Sequence, residues 1–94
     1  MKRKAHPVLD FVLTPHALLE LRRRDLDEAI VRQVLANPEQ RLVVRPGREV
    51  VQSRLEFGGS RYLLRVFVDV DRSPAEVVTA YRTSTIEKYW RRQS

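Results

Sequence analysis

Arg65 stands in an otherwise apolar segment, and Tyr81, Arg82, Thr83, Lys88 and Tyr89 follow it closely in this 94-residue chain. A guanidinium is a planar fork that matches a phosphate bidentately. A tyrosine stacks on a base or moves a proton, and hydroxyl and ammonium groups add donors. Together these side chains suit gripping a phosphodiester, and cutting one. Arg65 would hold the scissile phosphate and stabilise the pentacovalent transition state, unless an ion pair with Glu56, Asp69 or Glu76 occupies it. Tyr81 is a candidate for proton transfer or base stacking, or a half-buried aromatic. His16 is a candidate general base or acid, or a structural residue bonded to backbone near a helix start. Arg54, Arg82, Thr83 and Lys88 are candidate phosphate or RNA contacts, although Tyr81 and Arg82 should point to opposite faces of one strand.

Other chemistries find no foothold. The chain has no cysteine, which excludes disulfides and thiolate catalysis. His6 and His16 are isolated, so no metal site is expected, and no cofactor motif of the phosphate-loop or dinucleotide-binding kind occurs.

The elements that must position these residues can be read from periodicity and stop signals. Residues 8–13 suit a short strand. Thr14 reads as an N-cap with Pro15 at the first helical position. Ala17, Leu18 and Leu21 form a helical stripe, ended by Arg22, Arg23 and Arg24. Asp25 or Asp27 caps a second helix that carries Ile30, Val31, Val34 and Leu35 on one face and stops at Asn37-Pro38. The period then becomes two. Strands are expected over 41–45, 48–57, 61–69 and 76–82, separated by Pro46-Gly47, Gly58-Gly59 and residues 71–74. Val51, Ser53, Leu55 and Phe57 share one face of the second of these, and Gln52, Arg54 and Glu56 the other. In the third, Arg65 shares its face with Leu63 and Phe67. Ser84 and Glu87 look like a capping box for a last helix, pinned by Ile86, Tyr89 and Trp90. The expected order is β-α-α-β-β-β-β-α. It implies a two-layer α+β sandwich whose other sheet face is partly open to a ligand.

Length predicts one domain over residues 1–94, with a core at about 8–91 and a basic tail at 1–7. The net charge is +6, and fifteen of the eighteen basic residues are arginine. A nucleic-acid or acidic partner therefore fits, though solvated arginines are the default. Each half of the chain holds nine basic and six acidic residues, so any basic patch must be made by folding. No apolar run approaches the ~20 residues of a membrane span, and a cytoplasmic location is expected.

The order and spacing of several short motifs resemble a bacterial domain-of-unknown-function family grouped with the RelE/ParE-like toxins. They are Thr14-Pro15-His16-Ala17; Leu26 to Leu35 with Asn37-Pro38-Glu39; Leu63-Leu64-Arg65-Val66; Val78-Thr79-Ala80-Tyr81-Arg82-Thr83-Ser84; and Lys88-Tyr89-Trp90. The resemblance covers roughly residues 11–90. It implies two N-terminal helices on a twisted four- to five-stranded antiparallel sheet, with a short C-terminal helix. It also implies a toxin neutralised by a cognate antitoxin protein. RelE-type members cut messenger RNA, usually on the ribosome and without metal; ParE-type members poison DNA gyrase. Glu20 departs from the pattern where a basic residue is common, and Asp25 where glycine often ends the first helix. The expectation is thus a metal-independent mRNA endoribonuclease toxin. The alternative is a non-enzymatic binding module of the same fold, of the gyrase-inhibitor type or an inactive relative, held by a partner protein.

Overall fold

The computed structural model describes residues 5–92; the basic start at residues 1–4 lies outside the described residues. The elements are β1 (Phe11–Leu13), α1 (Pro15–Arg23), α2 (Glu28–Ala36), β2 (Gln40–Arg45), β3 (Arg48–Phe57), β4 (Ser60–Asp69), β5 (Ala75–Thr83) and α3 (Ile86–Tyr89). They form one five-stranded sheet in the order β1-β5-β4-β3-β2, and the protein is α+β.

Local chemistry sets the helix starts. The Thr14 hydroxyl accepts from the Ala17 N–H at 3.0 Å and donates to the Val77 carbonyl at 3.0 Å. One residue therefore caps α1 and ties it to β5. Asp27, not Asp25, caps α2 by accepting from the Ala29 N–H. Asp25 instead takes the left-handed turn between the helices, at φ 54°.

Ala17 and Leu21 of α1 and Val31, Val34 and Leu35 of α2 pack on Val51, Leu64, Val66, Val68, Val77 and Ala80 of the sheet. These sheet residues share one face because successive strand side chains alternate. Arg65 therefore lies on the face away from α1 and α2.

The sheet is mixed, not wholly antiparallel as expected, and its first strand precedes the helices. β1 runs parallel to β5, while β2 to β5 form an antiparallel meander. The two helices return the chain to the end of the sheet that β1 approaches, so β2 starts there and runs opposite to β1. Three more reversals make β5 parallel to β1. Only 11–13 of the expected strand 8–13 joins the sheet; the Val8 N–H is diverted to the Leu35 carbonyl at the end of α2. The β3–β4 turn is tight because Gly58 and Gly59 both adopt positive φ, 57° and 85°.

The far face is less open than expected. The C-terminal segment turns back over it, with the Tyr89 and Arg91 backbone against Gln52 and Gln40, and Val50, Gln52 and Leu63 of this face are fully buried. The Ser84 capping box does not form. α3 is a single turn whose N-cap position is Thr85, and the Thr83 hydroxyl accepts the Thr85 N–H.

Across β3 and β4, Arg48 and Asp69 make a two-pronged pair at 2.6 and 3.1 Å. The hydrogen bond from Arg48 outweighs desolvation and, helped by the charges of Arg48, Arg45 and Arg72, holds the Asp69 carboxyl below its ordinary pKa. A depressed folded-state value adds stability above the unfolded pKa, which is lost as pH falls through the folded one. The urea midpoint is expected to drop on acidification below about pH 4, the unperturbed aspartate value. Asp69→Asn should lower the midpoint at pH 7 and flatten its acid limb. An unchanged acid limb in the variant would assign the acid sensitivity elsewhere.

Candidate nucleic-acid interface

β4 and β5 bring Arg65 and Tyr81 opposite each other, and β3 adds Gln52 on the other side. The Arg65 Nε–H donates to Gln52 Oε1 at 2.9 Å, and Nη1 donates to Tyr81 Oη at 2.8 Å. Its guanidinium lies 4.3 Å from the Tyr89 ring centroid and 5.4 Å from that of Phe67. Phe67 stacks beside Tyr81, and Tyr89 meets Tyr81 edge-on. Aromatic faces attract the cation without neutralising it. Among the described residues no carboxylate pairs with Arg65: Asp69 is held by Arg48 and Glu76 by Arg72, while Glu56 makes no ion pair with it.

The result is a half-buried cation with its full charge and fixed orientation. Its two bonds leave most of the five guanidinium donors for a ligand. Tyr81 Oη accepts from Arg65, so its own O–H remains a donor. A phosphodiester oxygen brought to this point would meet both.

Other candidates are placed differently. His16 is exposed on α1, in the layer across the sheet, and does not join Arg65 and Tyr81. Arg82 points to the helix-side face, as alternation requires, where its guanidinium lies 4.7 Å from the Phe57 ring centroid and 5.1 Å from that of Tyr62. Thr83 is on the Arg65 face, but its hydroxyl accepts from the Thr85 backbone. Lys88 is exposed, with Nζ 5.3 Å from the Tyr89 ring centroid.

Arg54 lies on the Arg65 face but is committed. Its Nε and Nη2 donate to the two Glu39 carboxylate oxygens, both at 3.0 Å, and its guanidinium sits 3.9 Å from the Trp90 centroid. The Glu39 hydrogen bond raises its pKa further above the usual arginine value. Arg54 therefore fixes the C-terminal segment more than it extends a groove. Beside it, Arg54, Arg61, Ser84, Ile86, Glu87 and Trp90 line a shallow cleft of about 300 Å³. This is the lower end of the range for small-ligand sites, with room for about one base. Arg61 is exposed on its rim and is the cation there with most freedom.

Gln40 and Gln52, buried amides beneath the site, lay outside the candidates read from sequence. Tyr89, named there with the cluster, supplies an aromatic wall, and Arg24 reaches the edge of β5 away from Arg65. Arg24 is not merely a solvated helix end: Nη1 donates to the Thr79 hydroxyl and the Ala80 carbonyl, and Nη2 pairs with Glu20. Glu20 thus serves a structural pair. For Gln52 a signal did exist, because a two-residue turn at Gly58-Gly59 counts back to Gln52 opposite Arg65.

Among the described residues no group of histidine, cysteine and acidic side chains could hold a metal ion, and no helix is long and apolar enough to cross a membrane. No protein-family model, no curated protein and no solved structure matches this chain.

Proposed function

We propose that this protein is a toxin of RelE/ParE-like type that acts on RNA through the sheet face bearing Arg65. The carrying observation is the Arg65 guanidinium, oriented by Gln52 and Tyr81, walled by aromatics and paired with no carboxylate among the described residues. An uncompensated, half-buried cation calls for an anionic ligand. Flanking aromatic rings favour a single strand whose bases can stack over a duplex whose bases are hidden.

In this reading Arg65 clamps the scissile phosphate. The ribose 2′-hydroxyl attacks phosphorus and gives up its proton to water, the P–O5′ bond breaks, and Arg65 stabilises the charge on the phosphorane. The products are a 2′,3′-cyclic phosphate and a 5′-hydroxyl, and no metal enters the step. Tyr81 O–H is the donor placed to protonate the departing 5′-oxygen, and the phenol is restored by a proton from water. The neighbouring base occupies the cleft at Trp90 and Arg61, and Lys88 steers the strand. The substrate is messenger RNA in the cytoplasm, on the ribosome, and the partner is an antitoxin that covers this face.

A second reading rests on the position of His16. With its imidazole in the other layer, the cluster lacks the commonest general base. A binding module that holds RNA or a gyrase-type target without cutting would need only Arg65, Tyr81 and the aromatics. The deciding experiment induces the wild type and Arg65→Ala in a bacterial host, following growth and mapping RNA ends. Arrest with new internal messenger ends, lost in the variant, supports the nuclease. Arrest without new ends supports the binding module, and unaffected growth with intact RNA overturns the toxin reading.

Salt dependence provides an independent check. Arg65, Arg61 and Lys88 lie on or beside this face, and no carboxylate among the described residues pairs with them. Three phosphate contacts on a single strand give a slope of log affinity against log salt of about −2. A slope near zero would mean that binding is not to the backbone.

A further inference from the structure

We infer that Gln52 and Gln40 are positioning residues that hold the Arg65 guanidinium and the C-terminal segment as one unit. This rests on the reading of Arg65 as the phosphate clamp. The unit is a continuous chain of hydrogen bonds. Arg91 N–H donates to Gln40 Oε1 at 3.2 Å, and Gln40 Nε2 donates to the Arg91 carbonyl at 2.6 Å. Gln52 Nε2 donates to Gln40 Oε1 at 2.8 Å and to the Tyr89 carbonyl at 3.1 Å. Gln52 Oε1 then accepts from Arg65 Nε, and Arg65 reaches Tyr81.

Both amides are buried, Gln52 fully and Gln40 at 5 % exposure. Each amide uses its NH₂ group and its oxygen, and no buried side-chain polar atom among the described residues lacks a partner. The satisfied chain has one amide orientation. Gln52 must present oxygen to Arg65, because its NH₂ group is committed to Gln40 and to Tyr89. Reversing the amide would aim N–H donors at the guanidinium, which only donates. Arg65 is thus held against Gln52 only while the relay behind it is intact.

The C-terminal segment closes the relay with backbone groups alone. Its side chains bring Tyr89 over the Arg65 guanidinium and Trp90 over Arg54. When this segment is displaced, Gln40 and Gln52 lose their backbone partners and Arg65 loses its aromatic wall. Occupancy of the segment and readiness of Arg65 therefore share one free energy, so a ligand that needs Arg65 in place also holds the segment down.

The chain's single tryptophan, Trp90, reports on the segment directly. The test uses two variants that leave Arg65 unchanged. Gln40→Leu breaks the relay from the sheet side. Arg91→Pro removes the N–H that Gln40 accepts, at an exposed position whose predecessor Trp90 is already extended at φ −77°, ψ 125°. If the core substitution unfolds the chain, the surface one still decides.

Three readouts are taken on folded protein. They are iodide quenching of Trp90, solvent exchange of the Arg65 Nε–H by NMR, and affinity for a 2′-O-methyl RNA 12-mer, which lacks the attacking hydroxyl. Each variant is expected to raise Trp90 quenching, speed Arg65 Nε–H exchange, and weaken RNA binding about tenfold, within the 5–150-fold span of site-to-site coupling. Raised quenching with unchanged Arg65 exchange would overturn the inference and leave the glutamines a structural role only. Unchanged quenching would equally overturn it, since the segment would not be held by the relay. Arg65→Ala separates this from the RNA reading. If that variant binds the 12-mer as the wild type does, the clamp reading fails, while the NMR and quenching results still judge the relay.

Discussion

Arg65→Ala is expected to lose at least about a hundredfold in RNA cleavage and about tenfold or more in RNA binding, while keeping its fold. Removing one donor aimed at developing charge typically costs 10²–10³ in rate, about 2.7–4 kcal/mol. Arg65 supplies both the charge and the fork at this face, and no other arginine of the described residues touches Tyr81. The fold should persist because Arg65 is half-exposed, so water can reach the oxygens of Gln52 and Tyr81 that it leaves behind. Arg65→Lys keeps the charge but cannot hold Gln52, Tyr81 and a phosphate together, and should fall between the two. Binding is measured on the uncleavable 12-mer and cleavage on unmodified RNA, with circular dichroism and the melting temperature as fold controls. Retention of binding within about threefold by a folded Arg65→Ala would show that the phosphate is held elsewhere, since charge-assisted bonds to a phosphate are worth more than that.

The largest stability loss is expected from Leu64→Ala. Leu64 is fully buried in β4, a central strand, beneath the α1–α2 layer. Truncating a buried leucine removes transfer free energy and leaves a cavity, at about 2–5 kcal/mol. For a domain of this size each kcal/mol lowers the melting temperature by about 4–8 °C, so a fall of about 8–40 °C is expected. Such a loss is a large share of the ~5–15 kcal/mol that stabilises a typical domain. Val43→Thr, at an exposed position of the edge strand β2, should stay within about 0.5 kcal/mol. A loss below about 1 kcal/mol for Leu64→Ala would mean that the helices do not rest on β4 as described. Arg65, the next residue, faces the other way, so RNA affinity of the folded fraction should be unchanged.

The sequence by itself determined the elements and their faces. Thr14-Pro15, Asn37-Pro38 and Gly58-Gly59 are local signals whose physics operates within a few residues, and each marks a boundary in the structure. Alternation then placed Arg65 with Leu63 and Phe67, opposed Tyr81 to Arg82, and put Arg54 beside Gln52. The tight glycine turn also fixed the β3–β4 register.

Tertiary structure alone decided which strand edges meet and what covers the sheet. No local rule docks β1 on β5, so the parallel pair is a product of packing alone. A shift in β2 at Val43/Arg45 and another at Phe67/Val68 in the β4–β5 pairing break simple counting, which hid Gln40 beside Gln52 and Tyr81 beside Arg65. The fate of each arginine was equally non-local. Arg48 and Arg54 found carboxylates, Arg24 found the edge of β5, and Arg65 found two neutral oxygens and three aromatic rings. A side chain's charge is written in its own residue, but whether that charge is neutralised depends on groups brought near it by folding, and on this face folding left it available to a ligand.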